Sequence, residues 1–172
     1  MSLENHRAGS PECIAFAVLT FSDTRDEASD RGGAYLVERI ENAGHRVASY
    51  SIHTDDPEGI ADAVEAAAID PDVDLVLTTG GTGVAPRDWT YVTLKRVLDS
   101  EIPGFGELFR WLSYGEIGAA TILSRAIGGL LKGKVVLALP GSPKALRLAM
   151  DEIVLKEAGH LVGQVRGPGS RT

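Results

Sequence analysis

The chain has 172 residues, 44% of them hydrophobic and 24% charged, which fits one compact domain with a substantial core. Its net charge of −7 at pH 7 argues against a general nucleic-acid or anionic-membrane binder, since both need a basic footprint. Cys13 is the only cysteine, so an internal disulfide and a cysteine-based zinc site are both excluded.

Residues 1–12 are polar, contain Gly and Pro, and read as a loose tail. Neither a signal-peptide run nor an apolar segment of about 18 residues occurs, so a soluble cytoplasmic protein is expected. Cys13 to Thr20 is nearly all apolar and predicts a strand buried on both faces, with Cys13 inside it. Phe21-Ser22-Asp23-Thr24-Arg25 follows as a polar loop at the carboxyl end of that strand. Ser29-Asp30 caps a helix that runs to Ala43, with Leu36, Val37 and Ile40 at helical spacing and Gly44 as the stop. Arg46 to Ile52 alternates as a second strand. In His53-Thr54-Asp55-Asp56-Pro57, proline suits a first helical turn, which makes Asp56 the N-cap. Asp55 has no such structural explanation. The four histidines, at 6, 45, 53 and 160, lack metal-ligand spacing.

The central stretch starts as a buried strand, Leu75 to Leu77, and then breaks into Thr78-Thr79-Gly80-Gly81-Thr82-Gly83. Such a loop lets backbone approach a ligand and presents N–H and hydroxyl donors to it. It matches neither the dinucleotide fingerprint nor a P-loop. Arg87-Asp88 just beyond it adds a cation and a carboxylate.

Tyr91 to Leu98 reads as helix, residues 102–107 as a second glycine-containing turn, and Leu108 to Leu112 as helix. Ile117 to Ala120 reads as a further short helix. Residues 126–131 and 134–139 pair as a β-hairpin around Lys132-Gly133. Pro140-Gly141-Ser142-Pro143 is another strand-to-helix turn, and a helix runs from Lys144 through Val154 towards Val162. Residues 13–163 then form one α/β domain with a mostly parallel, mixed central sheet, followed by a C-terminal tail, 164–172.

In a parallel sheet the carboxyl ends of neighbouring strands meet along one edge. Ser22-Asp23, Asp55, the glycine–threonine loop, Arg87-Asp88 and Pro140-Gly141-Ser142 would share that crevice. Carboxylates beside a phosphate-binding loop are best explained by Mg²⁺, which binds through one or two carboxylates plus phosphate oxygens. A metal-assisted phosphoryl or nucleotidyl transfer is chemically sensible there, with the reaction type left open.

Four motifs in order resemble the MoaB/Mog family of molybdenum cofactor biosynthesis. They are Thr79-Gly80-Gly81-Thr82-Gly83 with Arg87-Asp88, Pro103-Gly104-Phe105-Gly106-Glu107, Leu123-Ser124-Arg125-Ala126, and Leu139-Pro140-Gly141-Ser142-Pro143. The resemblance runs from about Ile14 to Ala158 and is greater to the MoaB branch. It implies a three-layer α/β/α fold, a molybdopterin pocket, and Mg-ATP-dependent adenylylation of molybdopterin with release of pyrophosphate. No permanently bound cofactor is implied. Of the two acidic residues that matter in the family, one falls on Asp88. The other, aligned without gaps, falls on Asp55. Both would position Mg-ATP and the attacking phosphate, with Asp55 and Asp88 as the Mg²⁺ carboxylates. Thr79, Gly80, Gly81, Thr82 and Gly83 would hold phosphate with Arg87, while Pro140, Gly141 and Ser142 would help hold the pterin or phosphate. Glu107 and Ser124 are explained equally well by turn and core-edge hydrogen bonding. The resemblance also implies a homo-oligomer, trimer or hexamer, with the hairpin and Phe105–Trp111 as contact surfaces. The alternative within the same pathway is a carrier or scaffold that binds molybdopterin without adenylylating it.

Overall fold

A computed structural model describes residues 10–167. The tails expected at 1–12 and 164–172 lie partly outside that range; within it, the last helix continues to Arg166, so residues 164–166 are helical where a tail was expected. Among the described residues, six strands form one sheet: β1 (Ala15–Phe21), β2 (Arg46–His53), β3 (Leu75–Thr79), β4 (Ser100–Glu101), β5 (Ile127–Leu131) and β6 (Lys134–Leu139). Their order across the sheet is β2-β1-β3-β6-β5-β4. Strands β2, β1, β3 and β6 are parallel, and β5 pairs antiparallel with both β6 and β4. The expected mixed sheet with one hairpin is what the chain forms. Lys132 and Gly133 both take positive φ, 51° and 75°, as the tight turn between twisted strands requires.

The helices cover both faces. Strand side chains alternate between two cores, the period-2 consequence of the pleat. Phe16, Val18, Leu75, Leu77 and Leu137 pack with α1 (Arg31–Asn42), α4 (Pro103–Ile117) and the last helices. Ala17, Leu19, Val76 and Val136 pack with α2 (Pro57–Ile69) and α3 (Thr90–Val97). The last helix starts as α5 (Pro143–Ala149), widens through one π turn at Met150–Val154, and continues as α6 (Leu155–Arg166). Ser10 and Pro11 lie against Gly159 and Gly163 of α6, so the described chain already contacts the domain at its first residues. No helix among the described residues is long and apolar enough to cross a membrane.

Several local expectations change. The apolar run does not carry Cys13 inside, because β1 opens at Ala15 and Cys13 is exposed. The second glycine-containing turn is helical: α4 starts at Pro103, a favourable first-turn position, and continues to Ile117. Burial of Phe105 and Phe109 against the sheet overrides the weak helix propensity of Gly104 and Gly106. Residues 118–123 form a 3-10 helix where a short helix over 117–120 was expected. The two-residue β4 is too short and exposed to leave a pattern.

Candidate functional site

The carboxyl ends of β1, β2, β3 and β6 open onto a cavity of about 580 Å³. Local chemistry shapes each entry to it. After β2, Asp56 caps α2: its carboxylate accepts the Gly59 amide at 2.8 Å and the Thr54 hydroxyl, which holds its pKa below the usual value. That frees Asp55 to face the cavity. The sequence-level division between cap and cavity residue is therefore what the fold contains. Asp56→Ala is expected to lower Tm by roughly 2–4 °C and to leave the cavity chemistry intact, as a melt paired with a product assay would read.

After β3, the backbone turns at Gly80 and Gly81, with φ of 101° and 61°. A Cβ on Gly80 would meet the Phe21 carbonyl oxygen at 2.3 Å. One on Gly81 would meet Thr90 Oγ1 at 2.3 Å and Asp55 Oδ1 at 2.6 Å. Both positions thus require glycine. Asp88 folds back so that its Oδ2 accepts the Ala85 amide at 2.7 Å. After β6, Ser142 caps α5 by accepting the Ala145 amide at 3.3 Å, and it lines the cavity with Pro140 and Gly141.

Asp55 stands in an unusual environment. Its Oδ1 is buried and has no hydrogen-bond partner among the described residues. Its amide donates to Asp23 Oδ1 at 2.9 Å, tying the ends of β1 and β2 together. Burial, reinforced by the negative charges of Asp23 and Asp88, raises its pKa from 3.8 to about 6. The Trp89 amide and the Arg87 guanidinium pull the other way. A carboxylate with an orphaned oxygen, set among other carboxylates, is an arrangement that a bound cation would satisfy.

The structure brings Asp55, Gly80, Gly81, Thr82, Gly83, Arg87, Asp88, Pro140, Gly141 and Ser142 onto this one cavity. Thr79 is the exception. It is fully buried in β3, paired in register with Thr20 of β1 and Leu139 of β6, and does not line the cavity. Thr78 and Thr79 extend the strand by two residues, since a β-branched side chain fits a sheet as well as a loop.

Other lining residues went unassigned in the sequence. Arg25 opens on the cavity, with its Nη1 donating to Asp30 at 3.3 Å. Asp30 is buried, caps α1 through the Gly33 amide, and accepts the Tyr50 hydroxyl at 2.7 Å. These bonds and the Thr20 hydroxyl hold its pKa down against the opposing effect of burial, the largest influence on it. The polar run at 21–25 was the available signal for Arg25. One wall of the cavity is apolar, made by Phe109, Ile117 and Leu123 with Leu148 of α5. It left no sequence signal, because only tertiary packing sets α4 against the sheet edge. Arg25, Arg87 and Lys144 stand against Asp23, Asp55, Asp88 and Glu116, so the cavity is nearly balanced within an acidic chain. The site can accept an anion together with a cation.

Known proteins converge on the same assignment. Residues 17–160 match the family model described as a probable molybdopterin binding domain. The chain is 49% identical over 162 residues to a Bacillus cereus protein named molybdenum cofactor biosynthesis protein B, covering 94% of this chain and 96% of that one. A crystal structure of a molybdenum cofactor biosynthesis protein B superposes with a TM-score of 0.88 at 48% identity, over 91% of this chain and 98% of that one. The Pyrococcus furiosus tungsten cofactor synthesizing protein MoaB gives a TM-score of 0.82 at 36% identity, over 92% of this chain and all of that one. With this fold and these matches along nearly its whole length, the chain belongs to the MoaB/Mog family of molybdenum cofactor biosynthesis proteins.

Proposed function

We propose that the protein binds molybdopterin in this cavity and adenylylates its terminal phosphate with Mg-ATP, releasing pyrophosphate. The observation that carries this reading is that Asp55, Asp88 and the glycine loop share one cavity with an apolar wall. A phosphate oxygen of molybdopterin attacks the α-phosphorus of ATP. A new P–O bond forms, the bond towards the β-phosphate breaks, and pyrophosphate leaves with that electron pair. Such a transfer needs mainly alignment and charge neutralisation.

Each part of the cavity has a role in this chemistry. The Gly80 to Gly83 backbone lies where it can cradle phosphate oxygens. Arg25, Arg87 and Lys144 face the anionic groups. The apolar wall offers a surface for the pterin ring and keeps water from the reacting phosphates. Asp55 and Asp88 would hold Mg²⁺. The orphaned Asp55 Oδ1 fits that role, as does a metal that needs only one or two carboxylates beside phosphate oxygens. When bound, Mg²⁺ neutralises charge on the phosphate oxygens.

The same reading places the protein in the cytoplasm as a homo-oligomer. Within the segment expected to make contacts, Phe105 belongs to the core, whereas Trp111 is 73% exposed and suits a subunit contact.

Asp88→Asn tests the reading. Product formation is expected to fall at least about 10²-fold, with molybdopterin affinity within about three-fold of wild type. A variant that keeps the wild-type rate would remove Asp88 from the chemistry.

A further inference from the structure

Arg125 has no part in the chemistry above, yet it makes three hydrogen bonds to the loop that carries Asp88. Its Nη2 donates to two backbone carbonyls, those of Gly83 and Asp88, the second at 3.0 Å. Its own amide donates to the Thr82 carbonyl at 3.2 Å. Its guanidinium lies over the Tyr91 ring, 5.0 Å from the centroid, and so is held from α3 as well. The Nε is buried without a partner among the described residues, so the group is committed to this position despite an unmet donor. Charge-assisted bonds to neutral carbonyls are among the stronger ones a side chain makes.

These contacts span two halves of the cavity. Arg125 follows directly on Leu123 and Ser124, which line the cavity at the end of the 3-10 helix. That segment is fixed to α4 as well: the Thr121 hydroxyl donates to the Arg110 carbonyl at 3.2 Å, and Arg110 Nη1 donates to the Ala126 carbonyl at 3.4 Å. The apolar wall and the phosphate loop therefore meet through one residue, by its side chain and its amide. Both carbonyls that Arg125 grips bound the segment 83–88, and Asp88 is the end of it.

We propose that Arg125 is a positioning residue: a strut that fixes the 83–88 segment, and with it the Asp88 carboxylate, relative to the apolar wall. The part of this claim that concerns catalysis rests on the adenylylation reading above. The part that concerns the loop does not.

The test compares wild type, Arg125→Met and Arg125→Lys by amide hydrogen exchange and by steady-state adenylylation with Mg-ATP and molybdopterin. In Arg125→Met, exchange over residues 83–88 is expected to rise about ten-fold or more, with β1 and β3 still protected. The kcat is expected to fall by a similar factor. In Arg125→Lys a single ammonium can still reach both carbonyls but loses the planar contact with Tyr91, so both readouts return to within about three-fold of wild type. Unchanged exchange over 83–88 in Arg125→Met overturns the strut. Faster exchange with an undiminished kcat overturns the positioning of Asp88. If Arg125→Met does not fold, Tyr91→Leu takes its place, with a rise of about three-fold over 83–88 expected and an unchanged rate contradicting the proposal. A wild-type protein that forms no adenylylated product counts against the adenylylation reading, and the exchange arm still decides the strut.

Discussion

Asp55→Asn is expected to yield a protein that is more stable at neutral pH and at least about 10²-fold less active. The stability gain follows from the raised pKa. A native pKa of about 6 against an ordinary 3.8 means that the folded state binds this proton more tightly than the unfolded state does. The contribution of this carboxyl to wild-type stability therefore falls as pH rises from about 4 to about 6, and its full penalty persists above that. A shift of about two units sets an upper limit of about 3 kcal/mol, and screening at a half-buried site reduces it to roughly 1–2 kcal/mol. Neutral asparagine escapes the penalty, so Tm at pH 7.5 rises by about 3–6 °C. The gain shrinks as pH is lowered and vanishes below about pH 4. Activity moves the other way. The variant loses at least about 10²-fold in rate, because the orphaned carboxylate oxygen is the group proposed to meet Mg²⁺. Wild-type activity declines as acid protonates Asp55, with a midpoint below 6 once the cation is bound. Thermal melts at pH 4 and 7.5 check the first half. An equal Tm for both proteins at pH 7.5 contradicts the assigned strain.

Gly80→Ala is expected to be a large structural lesion. Its φ of 101° is unfavourable for any L side chain, and the new Cβ would lie 2.3 Å from the Phe21 carbonyl oxygen. That carbonyl belongs to the end of β1, so nothing flexible can give way. The Gly80 amide also donates to the Leu139 carbonyl at 3.3 Å, which ties the turn to β6 as well. The expected cost exceeds about 2 kcal/mol, and Tm falls by more than about 5 °C. Gly115→Ala is the control. A Cβ there meets nothing within 4 Å in the last turn of α4, so it is expected to stabilise by up to about 0.5–1 kcal/mol. Equal melting temperatures for the two variants would contradict the geometry of the turn.

The sequence revealed features whose causes are local. Strand β1 shows as an apolar run, the hairpin as two apolar arms around Lys132-Gly133, and the start of α2 as Asp56-Pro57. In each case neighbouring residues settle the outcome. Asp55 and Asp88 were assigned together because parallel strands have to end on one edge, a consequence of topology rather than of spacing. Features set by tertiary packing were hidden. Pro103-Gly104 looks like a turn until Phe105 and Phe109 are buried beneath it. Thr79 looks like a loop donor until the register with Thr20 places it inside the sheet. Arg25 depends on Asp30 and Tyr50, and Arg125 reaches Gly83, 42 residues away. Such contacts have no short-range signature, so the cavity's polar floor was legible while its apolar wall and its strut were not.

Transfer of AMP and mere binding of molybdopterin are separated by one measurement. The wild-type protein is incubated with molybdopterin, ATP and Mg²⁺, and pyrophosphate and adenylylated molybdopterin are quantified together. Equal amounts of both, dependent on all three reactants, are expected. Molybdopterin that stays bound while neither product forms would contradict the transfer and leave a carrier in the same pathway.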